Sequence, residues 1–133
     1  MNTTCFYVED IKIFLVNFCK KIIKDKRKSL LVFQDLDTVN FFDNELWKFD
    51  FLAHCRTQDG DLIQNTPLLL IEEKELDSFK NNYDNILFGY APSIEILKEI
   101  NKKTAILLND KNFQYKNIDV SYMIKNGNSW IQI

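Results

Sequence analysis

The sequence predicts an α/β domain, a three-layer sandwich built on a mainly parallel five-stranded sheet, and two observations carry that prediction. Short, nearly continuous apolar runs, above all Ser29 to Phe33 and Leu68 to Ile71, have the composition of strands covered on both faces. Between such runs lie amphipathic stretches with helical spacing, and their alternation in chain order favours parallel pairing through right-handed crossovers.

The first strand is expected over Cys5 to Val8. Glu9 and Asp10 then mark a helix start, and Ile11, Phe14, Leu15, Phe18, Cys19 and Ile22 recur at helical spacing. Lys20, Lys21 and Lys24 suit the negative end of its dipole. Ser29 to Phe33 is the second strand, after which Asp35 or Asp37 can cap a helix bearing Val39, Phe42, Leu46 and Trp47 on one side.

From Asp50 to Thr66 the pattern breaks into a loop with turn chemistry at Gln58-Asp59-Gly60-Asp61, leaving room for a short strand around Leu52 to Cys55. Leu68 to Ile71 is the third strand, Glu72 to Asn82 a polar connection with a helical turn, and Ile86 to Tyr90 the fourth strand. Pro92 and Ser93 open a helix carrying Ile94, Leu97 and Ile100. Thr104 to Leu108 is the fifth strand; Asp110 then caps a last helix of weak propensity that runs to about Lys125, where Gly127 stops it.

At 133 residues, with 46% hydrophobic and 27% charged side chains, one domain spanning residues 1–133 is expected, able to bury a core without disulfides or a structural metal. Seventeen basic against nineteen acidic residues, a net charge of -2, argue against a surface that grips nucleic acid through many phosphates. The basic residues cluster at Lys20 to Lys28 and again at Lys98, Lys102, Lys103, Lys111 and Lys116; solvated helix ends are the plainer reading of both clusters. Three cysteines at wide spacing, without a CxxC pair, point to a reducing cytosol, and no targeting or membrane-spanning segment is expected. A cytoplasmic protein follows from these expectations.

An open parallel sheet invites a nucleotide at its strand ends, yet the three glycines, Gly60, Gly89 and Gly127, form no phosphate loop. The predicted architecture is therefore Rossmann-like in topology and lacks a nucleotide-binding loop, and no cofactor is expected. His54 beside Cys55 suggests a thiol with an imidazole base, but neighbours in a strand face opposite ways. One histidine and three scattered cysteines offer no metal spacing, and Glu72 and Glu73 read as solvated charges.

What remains is a surplus of aromatics: eleven Phe, five Tyr and two Trp. Phe6, Phe14, Phe18, Phe33 and Phe88 are expected in the core. Trp47, Phe49 and Phe51 lie where a helix gives way to a loop, a setting in which aromatics either fold onto the core or anchor a protein interface.

Several of these segments together resemble the chi subunit family of DNA polymerase III. The likeness is carried by Phe6-Tyr7 in the first strand, by Lys28-Ser29-Leu30-Leu31-Val32, and by Phe42 to Trp47 against a pattern like LDxxLW. It continues through Asp50-Phe51-Leu52-Ala53-His54 against SFxPH, and through Pro67 to Ile71 as a proline-led strand.

The resemblance implies a non-catalytic adaptor that links the clamp-loader assembly to single-stranded DNA-binding protein (SSB), touching DNA only indirectly and no membrane. It implies that Leu46, Trp47 and Phe51 receive the psi subunit or another clamp-loader or polymerase subunit, with a helicase as a competing partner. For the acidic SSB tail, a family pattern like RYKxYxxxG on the last helix corresponds to Val120 to Gly127, which carries over Tyr122, Lys125 and Gly127. The pattern's arginine and its other basic residues are unmatched; Lys111 or Lys116 is the candidate to replace their charge, and a merely solvated helix face is the alternative reading of those lysines. The competing readings are a scaffold outside replication, self-associating through Trp47 and Phe51, and a nucleotide-dependent or thiol enzyme.

Overall fold

The computed structural model describes residues 2–49, 54–57 and 66–133. Eight strands are found among them: β1 (Thr3–Tyr7), β2 (Ser29–Phe33), β3 (His54–Arg56), β4 (Leu68–Glu72), β5 (Asn85–Phe88), β6 (Lys103–Leu108), β7 (Ser121–Asn126) and β8 (Ser129–Gln132). The helices are α1 (Ile11–Lys24), α2 (Leu36–Leu46), α3 (Leu76–Phe79), which sits between two single turns of 3-10 helix, and α4 (Ile94–Lys98). All strands join one sheet in the order β3-β4-β2-β5-β6-β1-β7-β8, parallel throughout except for the antiparallel β7–β8 pair.

The expected α/β class and the mainly parallel pairing are present; the count of five strands is not, because the sheet has eight. One addition is β3, which begins at His54; Leu52 and Ala53 of the anticipated short strand, and the turn around Gly60, lie outside the described residues. The other two strands replace the expected last helix. Asp110 does accept the Asn112 N–H at 2.9 Å, but it opens a turn, and an irregular segment follows. Val120, Tyr122 and Ile124 then alternate onto one side of the sheet, a period of two that a helix cannot use. Gly127, at a φ of +65°, turns the hairpin where a helix stop was expected.

Local chemistry sets the helix starts. Asp10 accepts the Lys12 N–H at 2.9 Å and the Ile13 N–H at 3.4 Å, capping α1, whose last turn carries Lys21 and Lys24. Of the two aspartates that could cap α2, Asp35 does so, accepting the Thr38 N–H and hydroxyl, both at 2.8 Å. These bonds hold the Asp35 carboxyl below its ordinary range. Ser93 caps α4, which at five residues is shorter than the expected helix.

Leu30, Leu31, Val32, Leu68, Leu69, Leu70 and Ile71 are fully buried, as strands covered on both faces require. On one side, Leu31, Phe33, Leu70 and Leu87 meet Leu15, Cys19 and Ile22 of α1 and Val39, Phe42 and Leu46 of α2. On the other, Leu30, Val32, Ile71, Ile86 and Phe88 meet Leu76 of α3 and Leu97 of α4. The irregular segment before β7 packs on this second side, pinned where the Tyr7 hydroxyl donates to the Phe113 carbonyl at 2.6 Å and the Tyr115 hydroxyl to that of Pro92 at 2.7 Å. After β5 the chain passes so close to Phe33 that a Cβ on Gly89 would stand 2.6 Å from its Cε1 atom.

Candidate functional site

Alternation along β1, β6 and β7 directs Phe6, Ala105 and Lys125 toward the α1 side of the sheet. Because β7 and β8 extend the sheet past β1, a cavity of about 720 Å³ opens there beside α1. Phe6, Phe14 and Trp130 form its middle, with Phe6 and Phe14 ring centroids 5.0 Å apart and Trp130 edge-on to them at 5.3 and 5.6 Å.

The cavity has two polar ends. Toward the ends of β1 and β7 stand Lys111, Lys125 and Gly127 with the carboxylates of Glu9 and Asp10. Toward the starts of β5 and β6 stand Lys21, Arg27 and Lys103 with Asp25 and Asn85.

The structure therefore brings together three of the five residues expected for the tail, Lys111, Lys125 and Gly127. Tyr122 is on the other side of the sheet, stacked on Tyr7 at 5.9 Å, where its hydroxyl accepts the Tyr115 N–H at 2.7 Å. Lys116 is exposed on the segment that packs over that second side and does not line the cavity. Phe33 and Phe88 are core as expected, whereas Phe6, Phe14 and Phe18 are half-buried and line the cavity. Trp130 carries no signal in the sequence that singles it out, and Lys21, Arg27 and Lys103 have there only the pattern of solvated cations.

A second feature sits at the end of α2. Leu46 is fully buried beneath a shallow cleft of about 300 Å³ between α1 and α2, so its role in the free chain is packing. Trp47, the next residue, is 57% exposed. Its indole lies on the His54 ring with centroids 4.3 Å apart. His54 is buried, with Nε2 3.3 Å from Asp43 Oδ1 and 3.2 Å from the Asp43 carbonyl oxygen. Arg56 brings Nε within 3.6 Å of Asp43 Oδ2 and donates from Nη1 to Asn40 Oδ1 at 3.0 Å. Phe51, expected beside Trp47, lies outside the described residues.

His54 and Cys55 face opposite sides of β3: His54 meets Trp47 and Asp43, while Cys55 joins the core beneath α3 and α4. The adjacent thiol and imidazole therefore do not form a pair. Burial pushes the Cys5 and Cys19 thiols up to about 12. Among the described residues no group of three or more His, Cys, Asp and Glu is placed to hold a metal, and no helix is long and apolar enough to cross a membrane.

Residues 1–114 match the family model described as DNA polymerase III chi subunit, HolC. The chain belongs to this family. Membership gives it an accessory role in DNA replication, as a component of the DNA polymerase III complex. No curated protein matches the chain. The family match spans β1 to β6 and includes Trp47 and His54, but it ends before β7. Val120 to Gly127, taken from the sequence as the counterpart of the tail-binding helix, thus lies beyond the matched residues, and its residues Ser121–Asn126 form β7.

Proposed function

We propose that the chain is a single-domain, non-catalytic, cytoplasmic adaptor that joins the clamp-loader assembly to SSB. The observation that carries this reading is the exposed Trp47 indole, held on buried His54 inside the family-matched region. A large ring kept in water on a fixed platform is suited to anchor a partner protein. Trp47 and Phe51 supply the contact for psi or an equivalent subunit, and Leu46 holds the end of α2 that carries Trp47 onto the core. The acidic, phenylalanine-ended SSB tail occupies the cavity beside α1, its ring against Phe6, Phe14 and Trp130, with Lys111, Lys125 and Gly127 at one rim. Lys116 contributes at most a distant charge, and Tyr122 acts by fixing Tyr115 rather than by touching the tail. DNA is reached through the partners.

The test is capture from cell extract with wild-type, Trp47→Ala and Phe51→Ala chains, the retained proteins identified by mass spectrometry. Loss of a clamp-loader or polymerase subunit in both variants, with SSB retained, is the expected result. Retention of the same replication proteins by all three chains overturns the assignment of this surface.

A further inference from the structure

The two ends of the cavity beside α1 differ in charge. At the end nearest Gly127, two cations, Lys111 and Lys125, face two carboxylates, Glu9 and Asp10. At the opposite end three cations, Lys21, Arg27 and Lys103, face one carboxylate, Asp25. Nearby Asp84 accepts the Lys28 N–H at 3.0 Å, as Asp10 at the other end accepts those of Lys12 and Ile13, and Asp84 does not line the cavity. None of the three cations forms an ion pair among the described residues.

A buried acceptor adds a second observation. Asn85 is 6% exposed and lines this same end, paired in register with Lys103, and its Oδ1 atom has no hydrogen-bond partner among the described residues. A buried amide oxygen left without a donor is costly, so a turn of the Asn85 side chain into the cavity, where a backbone N–H of a bound peptide meets its oxygen, is favoured.

From this arrangement, and resting on the tail-binding reading above, we infer that the Lys21, Arg27, Lys103 and Asn85 end holds the acidic residues of the protein tail. The apolar part of the tail then lies on Phe6, Phe14 and Trp130. A peptide that is anionic over one stretch and apolar over the next matches a cavity with a cationic end and an aromatic middle. A nucleic acid strand fits less well, because its phosphates would continue toward Glu9 and Asp10. The basic residues that Val120 to Gly127 lacks are thus supplied by the last turn of α1, by Arg27 in the loop that leads from α1 to β2 and by the first residue of β6.

The experiment measures fluorescence anisotropy of two labelled peptides on the full chain: one copying the acidic SSB tail, the other with its aspartates replaced by asparagines. The triple variant Lys21→Glu/Arg27→Glu/Lys103→Glu is compared with Lys111→Glu/Lys125→Glu, and thermal melts verify folding. If the Glu triple does not fold, Lys21→Gln/Arg27→Gln/Lys103→Gln takes its place. The triple variant should weaken the acidic peptide by at least about tenfold and leave the asparagine peptide unchanged. Equal sensitivity of both peptides to the triple variant, or a charge-dependent loss that appears instead at Lys111 and Lys125, overturns the inference. Competition of an unlabelled single-stranded oligonucleotide for the same end also overturns it. Failure of the acidic peptide to bind the wild-type chain at low salt removes the tail-binding reading itself, an outcome distinct from the others.

Discussion

The Trp47 indole rests on the His54 imidazole at a centroid distance of 4.3 Å, and His54 Nε2 is 3.3 Å from the buried Asp43 carboxylate. An exposed aromatic is thereby tied, through one buried ring, to a charge inside the domain. His54→Ala removes both the platform under Trp47 and one partner of Asp43. Arg56 remains beside the Asp43 carboxyl, so the loss is that of one buried hydrogen-bond partner, about 1 to 3 kcal/mol. Urea unfolding is expected to show that loss. In a Trp130→Phe background, Trp47 emission should shift to the red as its ring moves into water. Unchanged emission would separate His54 from the orientation of Trp47.

Leu46 and Trp47 are neighbours with opposite roles, one fully buried and one 57% exposed. Leu46→Ala leaves a cavity in the core beneath α2, and such truncations cost about 2 to 5 kcal/mol. Trp47→Ala removes surface that packs little, so stability should move by under about 1 kcal/mol while partner binding falls by about 2 kcal/mol or more. Parallel unfolding and pull-down measurements give the split. Equal stability losses in the two variants would mean that Trp47 is part of the core.

The Cys5 and Cys19 thiols, pushed up to about 12 from 9.0 by burial, should resist alkylation in the folded protein and react once it is unfolded. The sign of the linked pH effect follows. Above 9.0 the unfolded chain gives up thiol protons that the folded chain keeps, so folding stability is fully present below that pH. It is lost as the pH rises toward 12. Cys5→Ala/Cys19→Ala should flatten this alkaline decline, as followed by unfolding at stepped pH.

Much of the sheet was legible because Ser29 to Phe33 and Leu68 to Ile71 are apolar on both faces, a pattern that few other structures accept. The hairpin was not. Val120 to Lys125 mixes Tyr, Met and Ile so that period two and helical spacing both find matches, and a glycine at its end suits a helix stop as well as a tight turn. The strand-like His54 was legible as a residue facing away from Cys55, since alternation alone dictates it. The cavity beside α1 depends on sheet order, which places β7 next to β1 and Lys103 in register with Asn85. No local pattern encodes such neighbours, so Arg27 and Lys103 read as unrelated surface charges until the topology brings them to one end.

Gly89 gives a test of how closely that topology is packed. The residue follows β5, and a methyl group there would stand 2.6 Å from Phe33 Cε1. Phe33 cannot easily retreat, because its ring is stacked at 4.8 Å on Phe42 of α2 and is 1% exposed. Gly89→Ala should therefore destabilise the domain by about 1 to 3 kcal/mol through overpacking, even though alanine is normally the better residue for backbone entropy. The compensating variant is Phe33→Leu, which frees the space where the clash occurs. If Gly89→Ala/Phe33→Leu is more stable than the two single losses added together, the penalty lies in the ring contact. Additive losses would put the cost in the backbone after β5 instead, and chemical unfolding of the four chains distinguishes the two.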